Sequence, residues 1–280
     1  MGILSGLKGL GLGNLENMDI FEEEEAKEAP KAAAAAAPKI QEKDLILDKT
    51  FRCPVCDNTF TSKVMKTGRA KMIGSEMDLR PKYEGIDAVK YDVQLCPHCG
   101  YAALSRFFPN ITSVQGKLIK EKISASVKVP QHNDEIYSYE EAMERYKLAL
   151  VCTIVKRGKT GERAFVCLKN AWLVRGYKEY LQENNKNLGA IPELEKQEME
   201  YLENAFKGFV EARQSEPFPI CGMDETTVDY LLAVLATKFK KYDVATKLVS
   251  DLLTSSSVNN RVKEKARELK EQILEELKKK

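Results

Sequence analysis

The C-terminal half of the chain carries a helical period of apolar positions. Within 258–280 the apolar residues fall on one helix face, at Val258, Val262, Ala266, Leu269, Ile273 and Leu277. Similar periods predict helices over 139–155, 162–181, 193–214, 228–239 and 245–253, and loops with glycine or proline separate these segments. The pattern therefore predicts an antiparallel array of about six helices over 136–280.

Before the predicted helices, apolar residues alternate with polar ones at the two-residue period of β-strands. Strand-like pieces occur at 45–48, at 59–65 and in the alternation Tyr91, Val93, Leu95. A polar stretch, 117–135, follows them and predicts a bridge. We therefore expect a small β module over 44–116, a bridge, and a helical domain over 136–280. The predicted fold class is mainly α with a small β module.

The first 43 residues lack the apolar bulk for a core. Four glutamates (22–25) precede an alanine run between Pro30 and Pro38, which is typical of a linker. Residues 1–21 place apolar side chains at helical spacings, but five glycines interrupt them. We expect 1–43 to be a disordered tail and linker; a short docking peptide at 1–21 is the alternative.

Composition restricts the class of protein. The 280 residues include 43% hydrophobic and 31% charged residues, a balance typical of globular proteins. The net charge of +2 is low for a protein that binds nucleic acid with its whole surface. Apolar runs are too short to span a membrane, and the N-terminus lacks a secretory pattern, so we expect a cytoplasmic location.

Four of the seven cysteines form two Cys-x-x-Cys pairs. Cys53 and Cys56 make the first pair, and Cys96 and Cys99 make the second, 39 residues later. Two residues between cysteines let a tight turn direct both thiolates at one ion, and two such knuckles complete a tetrahedral site. Such turns require a left-handed backbone after each pair. Gly100 suits this conformation after the second pair, and Asp57 and Asn58 suit it after the first. The spacing predicts one structural Zn²⁺ and an inserted hairpin or loop between the knuckles.

Other chemistry at the four cysteines is less well supported. An iron site of the rubredoxin kind uses the same ligands and stays open as an alternative. A thioredoxin-like redox pair lacks its βαβ context, and four thiolates leave no open position for catalytic zinc. We expect no catalytic residues, although acid–base chemistry by Glu or Asp stays open.

The remaining cysteines and histidines show no catalytic arrangement. Cys152 and Cys167 fall at helical core spacings, and Cys221 lies in a loop where its reactivity can be tested. His98 lies between two ligands and is expected to be exposed, and His132 lies in the bridge.

Basic residues between the knuckles raise the question of nucleic-acid or anion contact. Lys63, Lys66, Arg69 and Lys71 lie in an interval without an acidic residue. Residues 51–115, however, include nine basic and six acidic residues, and a four-thiolate zinc centre adds two negative charges. Nucleic acid is therefore a possible partner but not the favoured one.

The helices resemble tetratricopeptide repeats. Ala205, Phe209, Ala212 and Pro217 reproduce the spacing of the second helix of such a repeat, and Ala142, Tyr146 and Ala149 match its first three positions. Successive matches are 63 and 40 residues apart, not the roughly 34 of a regular array. We expect irregular, repeat-like helix pairs.

The span from about 44 to 280 resembles a bacterial cytosolic family known as domain of unknown function 2225. The resemblance lies in CPVC at 53–56, YDVQLCPHCGYAA at 91–103 and the YEEAMERYKLA helix at 139–149. It implies a zinc-ribbon-like head on a repeat-like helical body and transfers no activity.

Three functions follow as hypotheses. The first is a non-enzymatic zinc-binding adaptor whose helical array binds an unidentified protein or peptide. The second is a nucleic-acid-associated zinc-ribbon protein, and the third is a rubredoxin-like iron redox protein.

Overall fold

The computed structural model describes residues 40–130 and 134–278. These described residues form one compact unit. The predictions for residues 1–39 of the tail and linker, and for His132, lie outside the described residues.

Six short strands in the described residues make three separate two-stranded antiparallel sheets. The strands pair in chain order, β1 with β2, β3 with β4, and β5 with β6. They are β1 (Ile46–Arg52), β2 (Thr59–Met65), β3 (Met72–Ser75), β4 (Pro81–Tyr83), β5 (Val93–Leu95) and β6 (Ala102–Leu104). Short 3₁₀ helices at Glu42–Leu45 and Ala88–Tyr91 adjoin β1 and β5.

Seven α-helices follow in the described residues. They are α1 (Ser113–Ile119), α2 (Tyr139–Val155), α3 (Thr160–Glu183), α4 (Ile191–Ser215), α5 (Glu225–Lys238), α6 (Tyr242–Thr254) and α7 (Asn260–Lys278). Side chains cap several of them: the Ser138 hydroxyl accepts the Glu141 amide proton before α2, and Asp224 accepts that of Thr227 before α5. From α2 to α7, each helix packs on the next.

The small residues of the helices set how closely the helices pack. A Cβ atom at Gly208 of α4 would lie 2.8 Å from the Cβ of Ala164 in α3. The two longest helices therefore approach each other closely at a glycine and an alanine, the two smallest residues. The alanines and aromatics of the repeat-like pattern, including Ala205, Phe209 and Tyr146, are fully buried. The pattern therefore marks helix-packing positions.

One hydrophobic core joins the strands to the helices. Val93, Ala102 and Leu104 of the β5–β6 hairpin lie in the same buried cluster as Ala142 and Ala149 of α2. The Tyr146 hydroxyl also donates to the Val89 carbonyl oxygen at 3.0 Å. The hairpin is therefore packed as part of the helical body.

The predicted fold class is confirmed: the protein is mainly α, with small two-stranded sheets near its beginning. The domain boundaries at 116 and 135 and the repeat-like relation of the helices stay predictions. The structure has a helical segment that the sequence pattern did not indicate, formed by α1 and a π-helical turn, Lys120–Ser124; it begins at the end of the predicted β module and continues into the predicted bridge. In the part of the chain that the structure describes, every helix is too short or too polar to cross a membrane.

Candidate metal centre

The first cysteine pair lies at the tip of the β1–β2 hairpin. Arg52 pairs with Thr59, so 53–58 form the connecting turn. The Cys53 amide donates to the Asn58 carbonyl oxygen, and the Asp57 amide donates to that of Cys53, both at 2.9 Å. Asp57 has a φ of 63°, the left-handed conformation that the sequence led us to expect after this pair.

The second pair repeats this geometry at the tip of the β5–β6 hairpin. The Cys96 amide donates to the Tyr101 carbonyl oxygen, and the Gly100 amide donates to that of Cys96, both at 2.9 Å. Gly100 has a φ of 71°, as predicted. A Cβ atom there would also lie 2.5 Å from Val127 Cγ1, so both backbone conformation and space require glycine.

The two hairpin tips bring four sulfur atoms together. The Sγ atoms of Cys53, Cys56, Cys96 and Cys99 all lie within 4.8 Å of one another. Cys53 Sγ is 3.6 Å from Cys99 Sγ, and Cys56 Sγ is 3.7 Å from Cys96 Sγ. A tetrahedral site with metal–sulfur bonds of about 2.3 Å has sulfurs about 3.8 Å apart. The four cysteines therefore fit one metal ion, although the geometry does not identify it.

Three of the four thiols shift one another's pKa. Hydrogen bonds from Cys53 and Cys99 lower the pKa of Cys96 to about 4. The bonds of Cys99 to Cys53 and Cys96, together with burial, raise its pKa. Thiolates this close repel each other, and a divalent ion held among them would offset that repulsion.

The 39 residues between the knuckles hold the inserted hairpin that the spacing predicted. β3 and β4 pair as an antiparallel hairpin within this interval. The first knuckle stays partly open to solvent at Cys56, whereas Cys53, Cys96 and Cys99 are buried.

The segment after the second knuckle braces it. The Ser124 hydroxyl donates to the Cys99 carbonyl oxygen at 2.8 Å. On the other side, the Ala102 amide donates to Cys152 Sγ at 3.4 Å, which fixes the knuckle to α2. These two contacts were not predicted, because the sequence pattern placed Ser124 in a bridge and Cys152 in a helical core. Neither pattern indicates a contact with the second knuckle.

The other cysteines and His98 lie outside the sulfur cluster. Cys152 and Cys167 are buried, as expected, and burial raises the pKa of each thiol to about 11. Burial likewise raises the pKa of Cys221 to about 12, so this loop cysteine is a poor nucleophile at neutral pH. His98 is exposed, and its Nε2 lies 3.3 Å from the Thr59 carbonyl oxygen.

The four basic residues between the knuckles lie in different surroundings. Lys63 Nζ lies 3.1 Å from Asp48 Oδ1, and Lys66 Nζ donates to the Asp44 carbonyl oxygen at 2.9 Å. Arg69 and Lys71 are exposed on the turn before β3. Two of the four cations are therefore engaged within the β module.

A buried ion-pair network connects the inserted hairpin to the helices. Arg80 lies 3.0 to 3.2 Å from carboxylate oxygens of Glu76, Asp87 and Glu179. Its side chain is only 3% exposed. No local sequence pattern indicated this network, because its members are up to 99 residues apart.

A second arginine extends the network across α3 and α4. Arg175 contacts Glu76, lies 2.7 Å from Asp78 and lies 2.8 Å from Glu198. Burial alone would raise the pKa of Glu198, but Lys178 and the neighbouring cations outweigh it and lower this pKa to about 2. The network therefore ties the insert that joins the two knuckles to α3 and α4.

Fold and site together define the class: a mainly α protein with a four-cysteine centre that can hold a metal ion. The sequence matches the family described as "Uncharacterized protein conserved in bacteria (DUF2225)" over residues 46–273, and the chain belongs to this family. The comparison with curated proteins finds no match, and neither does the comparison with solved structures.

Proposed function

We propose that the four cysteines bind one Zn²⁺ ion that stabilises the fold. The observation that carries this proposal is the sulfur cluster itself, whose spacing suits four metal–sulfur bonds. Four thiolates complete the coordination of a tetrahedral ion, so the role of the ion is structural. Such thiolates persist in a compartment that keeps thiols reduced, which we take to be the cytoplasm.

Elemental analysis with a visible absorption spectrum tests this proposal. We expect one zinc per chain and a colourless protein. Cys96→Ser should lose the metal, and Cys167→Ala, which changes a buried cysteine outside the cluster, should retain it. A coloured protein with stoichiometric iron would instead support the redox alternative.

We further propose that the helical array is an adaptor that binds a protein or peptide. A groove of about 380 Å³ lies between α2, α3 and α4. Leu150, Ile154 and Tyr201 supply apolar contacts, and Arg163 and Lys207 line it with cations. Ile154 is 54% exposed, so the groove presents apolar surface that a partner can cover. Glu211 also lines the groove, and Lys207 Nζ lies 2.7 Å from Glu203 Oε1, so a segment with apolar anchors complements this groove.

A comparative pull-down tests the adaptor role. The metal-loaded protein should capture a partner that Ile154→Glu no longer captures. Val114→Glu is the matched control, because Val114 is an exposed apolar residue on α1, outside the groove, with 70% exposure. Equal capture by all three proteins would refute the assignment of the groove.

Nucleic-acid binding through Lys63, Lys66, Arg69 and Lys71 is the alternative function. Arg69 and Lys71 are the exposed cations that it would use. Titration with RNA and DNA at low and high salt tests it, since phosphate contacts weaken steeply with salt. Absence of binding at low salt removes this alternative.

A further inference from the structure

The four sulfur atoms of the candidate metal centre differ in their access to solvent. Cys56 is partly exposed at the tip of the β1–β2 hairpin, whereas Cys53, Cys96 and Cys99 are buried, with at most 4% of each residue exposed. Oxidation of cysteine follows exposure and thiolate character, and the sulfurs of a metal centre are thiolates. A small oxidant that enters from solvent therefore meets Cys56 before it meets the other three.

The sulfur that lies opposite Cys56 belongs to the other hairpin. Cys56 Sγ is 3.7 Å from Cys96 Sγ, and Cys53 Sγ is 3.6 Å from Cys99 Sγ, so both contacts cross from the β1–β2 hairpin to the β5–β6 hairpin. A disulfide holds its two sulfurs about 2.05 Å apart, so each pair would have to close by about 1.6 Å. Oxidation of the Cys56 pair would thus join the two hairpin tips covalently.

Contacts that do not involve the four sulfurs keep the two hairpins side by side. Phe60 of β2 packs on Phe108 with ring centres 5.7 Å apart, and Phe108 packs on Tyr101, the residue before β6, at 4.9 Å. All three rings are buried. The aromatic contacts hold the tips in place while two sulfurs approach each other, so the disulfide is compatible with the fold.

We propose that Cys56 is a peroxide-sensitive modification site whose oxidation exchanges a bound metal ion for a Cys56–Cys96 disulfide. The release of metal rests on the proposed zinc site, whereas the order in which the cysteines oxidise rests on exposure and sulfur distances alone. Formation of the disulfide removes two of the four sulfur ligands, and two sulfurs do not complete a tetrahedral site. A thiol reductant would restore both ligands, so the exchange is reversible.

The oxidation balances in two steps. The Cys56 thiolate attacks one oxygen of hydrogen peroxide, the O–O bond breaks, hydroxide leaves, and the sulfur becomes a sulfenic acid. The Cys96 thiolate then attacks the Cys56 sulfur, the S–O bond breaks, and a second hydroxide leaves as the S–S bond forms. The two sulfurs lose two electrons to one peroxide, and two protons from solvent convert the two hydroxides to water.

Limited oxidation of the metal-loaded full chain tests the proposal. Hydrogen peroxide is added at equal concentration to the protein, the remaining thiols are alkylated in denaturant, and unreduced tryptic peptides are mapped by mass spectrometry. We expect peptide 53–63 joined to peptide 91–106, with fragmentation placing the bond between Cys56 and Cys96. A colorimetric zinc chelator should report about one zinc released for each disulfide formed.

Cys221 supplies the matched control, because it is the other partly exposed cysteine and lies outside the sulfur cluster. It should stay a thiol under the same treatment. In metal-free protein, Cys56→Ser should consume hydrogen peroxide about ten-fold more slowly than wild type, because the remaining cluster sulfurs are shielded. Cys221→Ser should react at the wild-type rate. If the metal-free protein is unfolded, the disulfide map of the metal-loaded wild type, which needs no variant, decides the proposal.

Four results would overturn the proposal. They are a first disulfide within one knuckle, oxidation of Cys221 before Cys56, absence of any disulfide under excess peroxide, and retention of zinc by the chain that carries the disulfide. Metal analysis before oxidation separates this proposal from the zinc site itself. A chain without zinc would refute the structural zinc, and its disulfide map would still show whether Cys56 pairs with Cys96.

Discussion

Replacement of Arg175 by methionine would break the buried network at its centre. The guanidinium contacts Glu76, Asp78 and Glu198, and its side chain is 17% exposed. Methionine preserves most of the apolar stem and removes the charge. The loss in stability therefore comes mainly from the carboxylates that are left without the guanidinium, and less from lost packing.

The structure indicates which carboxylate bears most of the loss. Glu198 keeps Lys178 at 2.9 Å, and Glu76 keeps Lys82 at 3.3 Å. Asp78, only 6% exposed in its side chain, loses its ion-pair partner. Breaking a buried pair costs about 3–5 kcal/mol, and we expect the low end, about 3 kcal/mol, because two of the three carboxylates stay paired.

Urea unfolding followed by circular dichroism measures this loss. Arg52→Met is the matched control, because Arg52 and its partner Asp57 are both 73% exposed and their pair contributes at most about 1 kcal/mol. Adding Asp78→Asn to Arg175→Met should recover about 1–2 kcal/mol, since it removes the unpaired charge. A loss below about 1 kcal/mol, or no recovery in the double variant, would refute the reasoning.

Three further predictions concern the knuckle, pH and thiol reactivity. Gly100→Ala should destabilise the protein more than Gly68→Ala. Both glycines have positive φ, but of the two only Gly100 has a neighbour, Val127, where the new methyl group would lie. Melting temperatures of the two variants check this, and equal losses in melting temperature would contradict it. Because the folded-state pKa of Glu198 is lowered to about 2, its stabilising effect should be complete above about pH 4.5 and disappear towards pH 2. The gap between the urea midpoints of wild type and Glu198→Gln should therefore shrink over that window, and a constant gap would argue against it. Iodoacetamide at pH 8 should alkylate Cys221 far more slowly in folded than in unfolded protein, as peptide mass spectrometry would show, because burial raises its pKa to about 12.

Local signals in the sequence predicted the helices and the two knuckles well. The apolar period locates α2 through α7 because each helix buries one face. Gly100 and Asp57 indicated the left-handed turns because few residue types adopt that backbone, and both have positive φ. The pairing of the two knuckles followed from the ligand count of a tetrahedral ion.

Contacts between distant residues could not be predicted in the same way. Arg80 and Glu179 meet across 99 positions, and neither has a local pattern that differs from an exposed charge. Ser124 braces Cys99 from a segment whose polar composition indicated a bridge. The orientation of Gln94 depends on Ser105, a residue on the paired side of the hairpin. Such features follow from the tertiary arrangement alone.

X-ray absorption at the zinc edge tests the central claim most directly. The four-cysteine centre of Cys53, Cys56, Cys96 and Cys99 predicts a first shell of four sulfur atoms at about 2.3 Å from one zinc per chain. A shell that includes nitrogen or oxygen, fewer than four sulfurs, or a protein without zinc would contradict the structural zinc site.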